Sequence, residues 1–239
     1  MKTNIKTLII GLVLFNLLSF QYTHSQFLKG NGNVIKSERK VSGFQTVEVH
    51  DGIDLYITQG NNESLQIEAD ENLHQHIKTE IEQGNLKIYL SKSVWKSESL
   101  KIHLSIKNIT GLSSSGGSDV ETTNTLNLAE LSVICSGGSD AKLTIEAEKL
   151  KFKASGGSDG YLRGSVKNFL AKASGGSDIK AFELKTIDCY IEVTGGSDAE
   201  VNASGLLNAS ASGGSDVAYK GKPSSIDSNM SGGSSLHHD

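Results

Sequence analysis

Proline and cysteine are nearly missing from this 239-residue chain, which has one proline, Pro223, and two cysteines, Cys135 and Cys189. Two cysteines exclude a disulfide-built scaffold. With no proline before residue 223, little interrupts long runs of strand. Arginine is almost as scarce, at Arg39 and Arg163 alone, and the lysines are scattered, so the basic stripe of a nucleic-acid binder is absent. Histidine is missing from residues 111–235, and no Cys-x-x-Cys or phosphate loop occurs anywhere. A long hydrophobic run occurs only at the start, where Lys2 and Lys6 precede an apolar stretch at residues 8–20 and small polar residues follow at 23–26. That layout predicts a signal peptide over residues 1–25, too short for a comfortable membrane span, so no transmembrane segment is expected after its cleavage. Its removal takes away two lysines and no acid, moving the formal charge from −4 to about −6.

Glycine, by contrast, is abundant and periodic. Gly-Gly-Ser-Asp ends at Asp119, Asp140, Asp159, Asp178, Asp198 and Asp216, and Gly232-Gly233-Ser234-Ser235 is a degenerate last copy. A period of about 20 residues marks a stacked repeat in which each unit buries its face only against its neighbours. Within each unit the apolar period is two, not that of a helix. Counted back from the first glycine, position −6 holds Thr110, Leu131, Leu150, Phe169, Cys189, Leu207 and Ile226. Position −4 holds Leu112, Val133, Phe152, Ala171, Ile191, Ala209 and Ser228, and position −2 holds Ser114, Cys135, Ala154, Ala173, Val193, Ala211 and Met230. These columns are expected inside. The positions between them are mostly polar, with Ile134 and Leu170 as exceptions, and are expected outside.

The fold predicted is all-β, a right-handed parallel β-helix or β-solenoid with coils of about 19–20 residues. Its regular part spans 111–235, after a less regular N-terminal β region at 27–110, and 236–239 forms a polar tail. In the N-terminal region strands are expected at 46–49, 53–58, 65–69, 77–81, 86–90 and 101–106. Cys135 and Cys189 fall three rungs apart, about 14 Å, beyond the roughly 7 Å that a disulfide spans between Cα atoms, so both are expected as buried free thiols.

The paired glycines Gly116-Gly117, Gly137-Gly138, Gly156-Gly157, Gly175-Gly176, Gly195-Gly196 and Gly213-Gly214 read as sharp turns whose Ser and Asp side chains bond turn amides. The aspartates are expected as a solvent-facing ladder. Stacked carboxylates repel, so the six aspartates are also a candidate calcium ladder, although calcium-binding β-rolls place their turn every nine residues. His74 and His76, expected on one face of a strand, and His237-His238-Asp239 lack the further ligands a metal site needs. No metal or cofactor is assigned. Catalysis is disfavoured too, because identical aspartates with identical neighbours make poor acid–base pairs.

Several blocks together carry a resemblance: Val41-Ser42-Gly43-Phe44, Val47-Glu48-Val49, residues 52–60 beginning Gly52-Ile53-Asp54, Ala69-Asp70-Glu71-Asn72-Leu73, Leu86-Lys87-Ile88 and the repeated Ser-Gly-Gly-Ser-Asp. With them the chain resembles the exported bacterial auto-transporter adhesin, head GIN domain family, and departs from it in reading Gly-Ile-Asp where the family name has Gly-Ile-Asn. The resemblance implies a β-helical protein with an adhesion or binding role at the cell envelope, whether periplasmic, surface-held or secreted. Its ligand would be a glycan or a protein. A carbohydrate-active enzyme or glycan-binding protein on the same scaffold, and a structural envelope protein, are the alternatives. Open sheet edges at the ends of the stack leave self-association as a further expectation.

Overall fold

A computed structural model describes residues 27–239. The expected signal segment lies outside the described residues. Strand dominates, and the only helical element among the described residues is a 3-10 turn at Glu71–Leu73. No helix among them is long and apolar enough to cross a membrane.

The repeats stack as a parallel β-solenoid. Strands Gly111–Ser115, Leu126–Ser136, Ala141–Ser155, Gly160–Ser174, Ile179–Thr194, Leu206–Ser212 and Ser225–Met230 pair in order, like position on like, as in Leu131↔Leu150↔Phe169↔Cys189. A second series follows each aspartate, through Val120–Thr122, Ala199–Ala203, Asp216–Gly221 and Ser235–His238. In the coil opened by Ile179 the buried residues fall in three short runs: Ile179 and Ala181, then Leu184 and Thr186, then Cys189, Ile191 and Val193. Each break in the alternation is a corner, and the glycine pair makes the last one. Large and small residues interlock between runs: Phe152 fills the space over Gly160, where an added Cβ would come within 2.4 Å of its ring.

Cys135 and Cys189 are buried free thiols three rungs apart, as the columns require. Burial pushes both thiols up, to about 11 and about 12. Two ends of the columns differ from expectation. Ile109 is buried and Thr110 exposed, because the chain enters the first coil across Gln45, whose carbonyl accepts the Thr110 amide. Ile226 and Ser228 are exposed, on a strand that among the described residues pairs along one edge, with Leu206–Ser212. Residues 235–238 are not a loose tail but the final paired strand.

The N-terminal region contributes rungs of its own, out of sequence order. Thr46–Val49 and Asp54–Gln59 form a rung that lies directly under the first repeat, pairing with Gly111–Ser115 and Val120–Thr122. On its other side lie Asn85–Leu90 and Leu100–Ile106, also parallel. Antiparallel strands then close this end: Ile77–Glu82 on Asn85–Leu90, Ser64–Asp70 on Leu100–Ile106, and Val34–Arg39 outermost. Val34–Arg39 and Ile77–Glu82, each paired on one side, are the edge strands of this end, and both carry charged side chains, which disfavour pairing with another chain.

Asp70 ties this cap together. It is buried, and its carboxylate accepts the amides of Gly32 (2.6 Å), Glu98 (2.8 Å) and Ser99 (3.1 Å), from two segments far apart in sequence. Burial works to raise its pKa, but the amides outweigh it and hold the carboxyl below its ordinary value. A group depressed in the folded state stabilises above its unfolded pKa of about 4, and that contribution is lost as pH falls through the folded value. Stability measured by urea unfolding should therefore drop between neutral pH and pH of about 3, and by less in Asp70→Asn, whose amide cannot titrate.

Candidate functional site

Two features could carry function: the stacked turns and the outer strand faces. In the turns, both glycines of every pair adopt positive φ, 65° and 75° at Gly116 and Gly117, a backbone that other residues adopt only under strain. The serine that follows is completely buried at Ser118, Ser139, Ser158, Ser177, Ser197 and Ser215. Each of these hydroxyls accepts the amide of the equivalent residue one rung back: Ser118 N–H to Ser139 (3.0 Å), Ser139 to Ser158 (3.0 Å), Ser158 to Ser177 (3.1 Å) and Ser177 to Ser197 (3.0 Å). The aspartates run the other way. Each Oδ1 accepts the amide of the aspartate one rung ahead, as Asp140 to Asp119 (2.9 Å), Asp159 to Asp140 (2.9 Å) and Asp178 to Asp159 (3.0 Å). The motif is thus two opposed ladders that satisfy turn amides left outside the sheet pairing.

The ladder extends one rung further than the repeat. Ile53 N–H donates to Ser118 Oγ (3.0 Å), and Asp51 and Gly52 have φ of 68° and 74°, the backbone of a glycine pair. Gly52-Ile53-Asp54 is therefore the first turn of the stack, with Ile53 in the serine position and Asp54 in the aspartate position. Burial, then the neighbouring Asp119 charge, raises the Asp54 carboxyl above its ordinary value.

Asp119, Asp198 and Asp216 are exposed, and Asp140, Asp159 and Asp178 are half-buried. Lys180 reaches two of them, Asp159 at 3.5 Å and Asp178 at 3.9 Å, so part of the carboxylate repulsion is answered within the chain. One oxygen of each aspartate from Asp119 to Asp216 is already bound to an amide. Among the described residues no three His, Cys, Asp or Glu side chains gather as a metal site, whereas calcium asks for six to eight oxygens. The melting temperature should be the same in millimolar calcium as in EDTA; a rise of several degrees with calcium would make the ladder a cation site.

The histidines do not converge. His74 and His76 both lie in the turn that follows the 3-10 element at Glu71–Leu73, not on a strand, because the strand ends at Asp70. His74 bonds Ser37 Oγ at 2.9 Å, while His76 faces Ser91. His238 stands edge-on to Tyr219 and bonds the Gly221 carbonyl.

On the outer face before the glycine turns lies a trough of about 390 Å³. Its walls are the two outward columns of that strand, Ser132, Lys151, Leu170, Tyr190 and Asn208 on one side and Ile134, Lys153, Lys172, Glu192 and Ser210 on the other. Its floor is the backbone of the inward residues between them, from Val133 to Ile191. The walls stand two residues apart along each strand, about 7 Å, and five rungs give a length of about 19 Å. Ile134 and Tyr190 are 45% and 41% exposed, high for apolar or aromatic side chains in the middle of a face. Alternation marks Ile134 and Leu170 as outward exceptions; only the stacking shows that they share a trough with Tyr190.

The repeated polar motif of this parallel β-solenoid is spent on its own turns, and an extended apolar recess lies on a strand face. The chain matches the family described as "Putative auto-transporter adhesin, head GIN domain" over residues 43–223, and it belongs to that family. Among solved structures it is similar to one described as a "putative adhesin" of Bacteroides fragilis, with a TM-score of 0.84, 22% identity, and coverage of 89% of this chain and 100% of that one. A Parabacteroides distasonis structure described as a "Putative lipid binding protein" gives a TM-score of 0.75 at 21% identity, covering 90% and 100%. A "putative adhesin" of Parabacteroides merdae gives 0.71 at 17%, covering 89% and 99%. At these identities the likeness is one of fold. Comparison with curated proteins finds no match.

Proposed function

We propose that this chain is an exported, non-enzymatic binding module of the cell envelope and that it meets its ligand on the strand face bearing the trough. The observation that supports this most is the trough itself, a recess of ligand-pocket size walled by Ile134, Leu170 and Tyr190 on an otherwise polar face. The family's adhesin description points the same way, and the charged, apolar and polar layout of residues 1–25 supports export. Catalysis has little to work with, since the serines are buried acceptors and the aspartates repeat one environment along the stack. The runner-up, a carbohydrate-active or glycan-binding protein on the same scaffold, would use the same face, where Tyr190 offers a stacking surface.

The test is a binding and turnover screen of the purified protein against envelope fractions, polysaccharides and lipids. Retention without turnover, lost in Leu170→Asp and kept in Asp159→Asn, is the expected result. Degradation of any polymer would replace a binding module by an enzyme.

A further inference from the structure

We propose that the trough is a fatty-acid site: the hydrocarbon chain lies along the floor past Leu170 and Tyr190, and the carboxylate sits between Lys151 and Lys153. This rests on the reading of the strand face as the binding surface and adds the class of ligand. The floor is the first argument. Its backbone belongs to interior strands of the parallel ladder, Val133↔Phe152↔Ala171↔Ile191, whose amides and carbonyls are bonded to the strands on either side. A sugar laid there would find no free partner on the floor and would depend on the wall side chains for its hydroxyls, whereas a methylene chain needs no partner and gains burial.

The walls are the second. Within the two wall columns the apolar or aromatic residues are Ile134, Leu170 and Tyr190, with Lys151 and Lys153 on the rung between Ile134 and Leu170, and the columns become small or polar on both sides, at Gly111 and Ser113 before them and at Asn208, Ser210, Asp227 and Asn229 after them. A spacing of about 7 Å between the wall columns leaves no room for two chains side by side.

Charge is the third. Lys172 is paired with Glu192, but Lys151 and Lys153 have no carboxylate partner among the described residues. They stand on the same strand, outward, one on each wall, and so present two ammonium groups to one anion from opposite sides. From that rung to Asn208 the trough runs three rungs, about 14 Å, over Leu170 and Tyr190. The lysine stems extend the apolar lining while their heads stay in water.

Titration calorimetry of the purified protein with palmitate below its micelle concentration tests this. Saturable 1:1 binding is expected, weakened at least tenfold in Lys151→Gln/Lys153→Gln and for the methyl ester of the same acid, and abolished in Leu170→Asp, with melting temperature and circular dichroism confirming that each variant is folded. Equal binding of acid and ester would overturn the lysine clamp. Tighter binding of lysophosphatidate than of palmitate would overturn the carboxylate in favour of a phosphate head, and saturable binding of polygalacturonate lost in the same variants would overturn the acyl chain in favour of an acidic glycan. If palmitate fails while envelope binding remains sensitive to Leu170→Asp, the ligand class falls and the face stands; if envelope binding ignores all trough variants, the face falls as well.

Discussion

Phe152→Ala is expected to lower the free energy of unfolding by about 3–5 kcal/mol, the range for removing a buried phenyl group from a core that cannot close over the gap. Phe152 is 2% exposed, and its ring occupies the volume that a side chain at position 160 would take. Its stacked neighbours, Val133 and Ala171, are smaller and fixed by the ladder, so neither can swing in. The same contact predicts an interaction between sites. Gly160→Ala alone should destabilise, because its Cβ would meet the ring at 2.4 Å, yet in the Phe152→Ala background it should cost less or become favourable. A double-mutant cycle by equilibrium urea unfolding measures this coupling; additive effects would mean that Phe152 does not pack over Gly160.

Ser158→Ala is expected to cost about 1–3 kcal/mol, the penalty for leaving a buried amide, that of Ser139, without an acceptor. Asp159→Ala removes an acceptor in the same turn but should cost less, since Asp159 and Asp178 are half-buried and water can replace the lost oxygen. The order of the two effects matters more than their size. An account in which the acidic ladder is the principal support of the turns predicts the reverse.

The columns of the regular coils were legible because alternation in a stacked repeat is tested again at every rung, and a wrong register would show as charges inside. Legibility failed where the stack departs from chain order. The rung made by residues 46–59 lies under a strand 65 residues later, as Thr46↔Gly111 shows, and its turn lacks the first glycine and the serine that would have flagged it. What Asp51 and Gly52 share with the repeat is a backbone conformation, and what Ile53 shares is its amide bond to the next serine; Asp51 reaches positive φ without being glycine. Asp70 stood in one of the family-like blocks, but its partners at Gly32, Glu98 and Ser99 are 28 to 38 residues away, beyond any local pattern. His74 and His76 were misplaced on a strand because a 3-10 turn of three residues leaves no periodicity to read. The trough was half visible: Ile134 and Leu170 broke the outward polar rule, but Tyr190 and the unpaired lysines Lys151 and Lys153 join them only once successive coils are laid side by side.

Gly-Gly-Ser-Asp is a register device whose serine and aspartate ladders run in opposite directions. Amide hydrogen exchange resolved by residue tests it most directly. In Ser158→Ala, exchange should accelerate at Ser139, one rung back, with Ser177 unchanged; in Asp159→Ala it should accelerate at Asp178, one rung ahead, with Asp140 unchanged. Acceleration on the same side in both variants, or at neither amide, would contradict the opposed ladders and with them the structural reading of the motif.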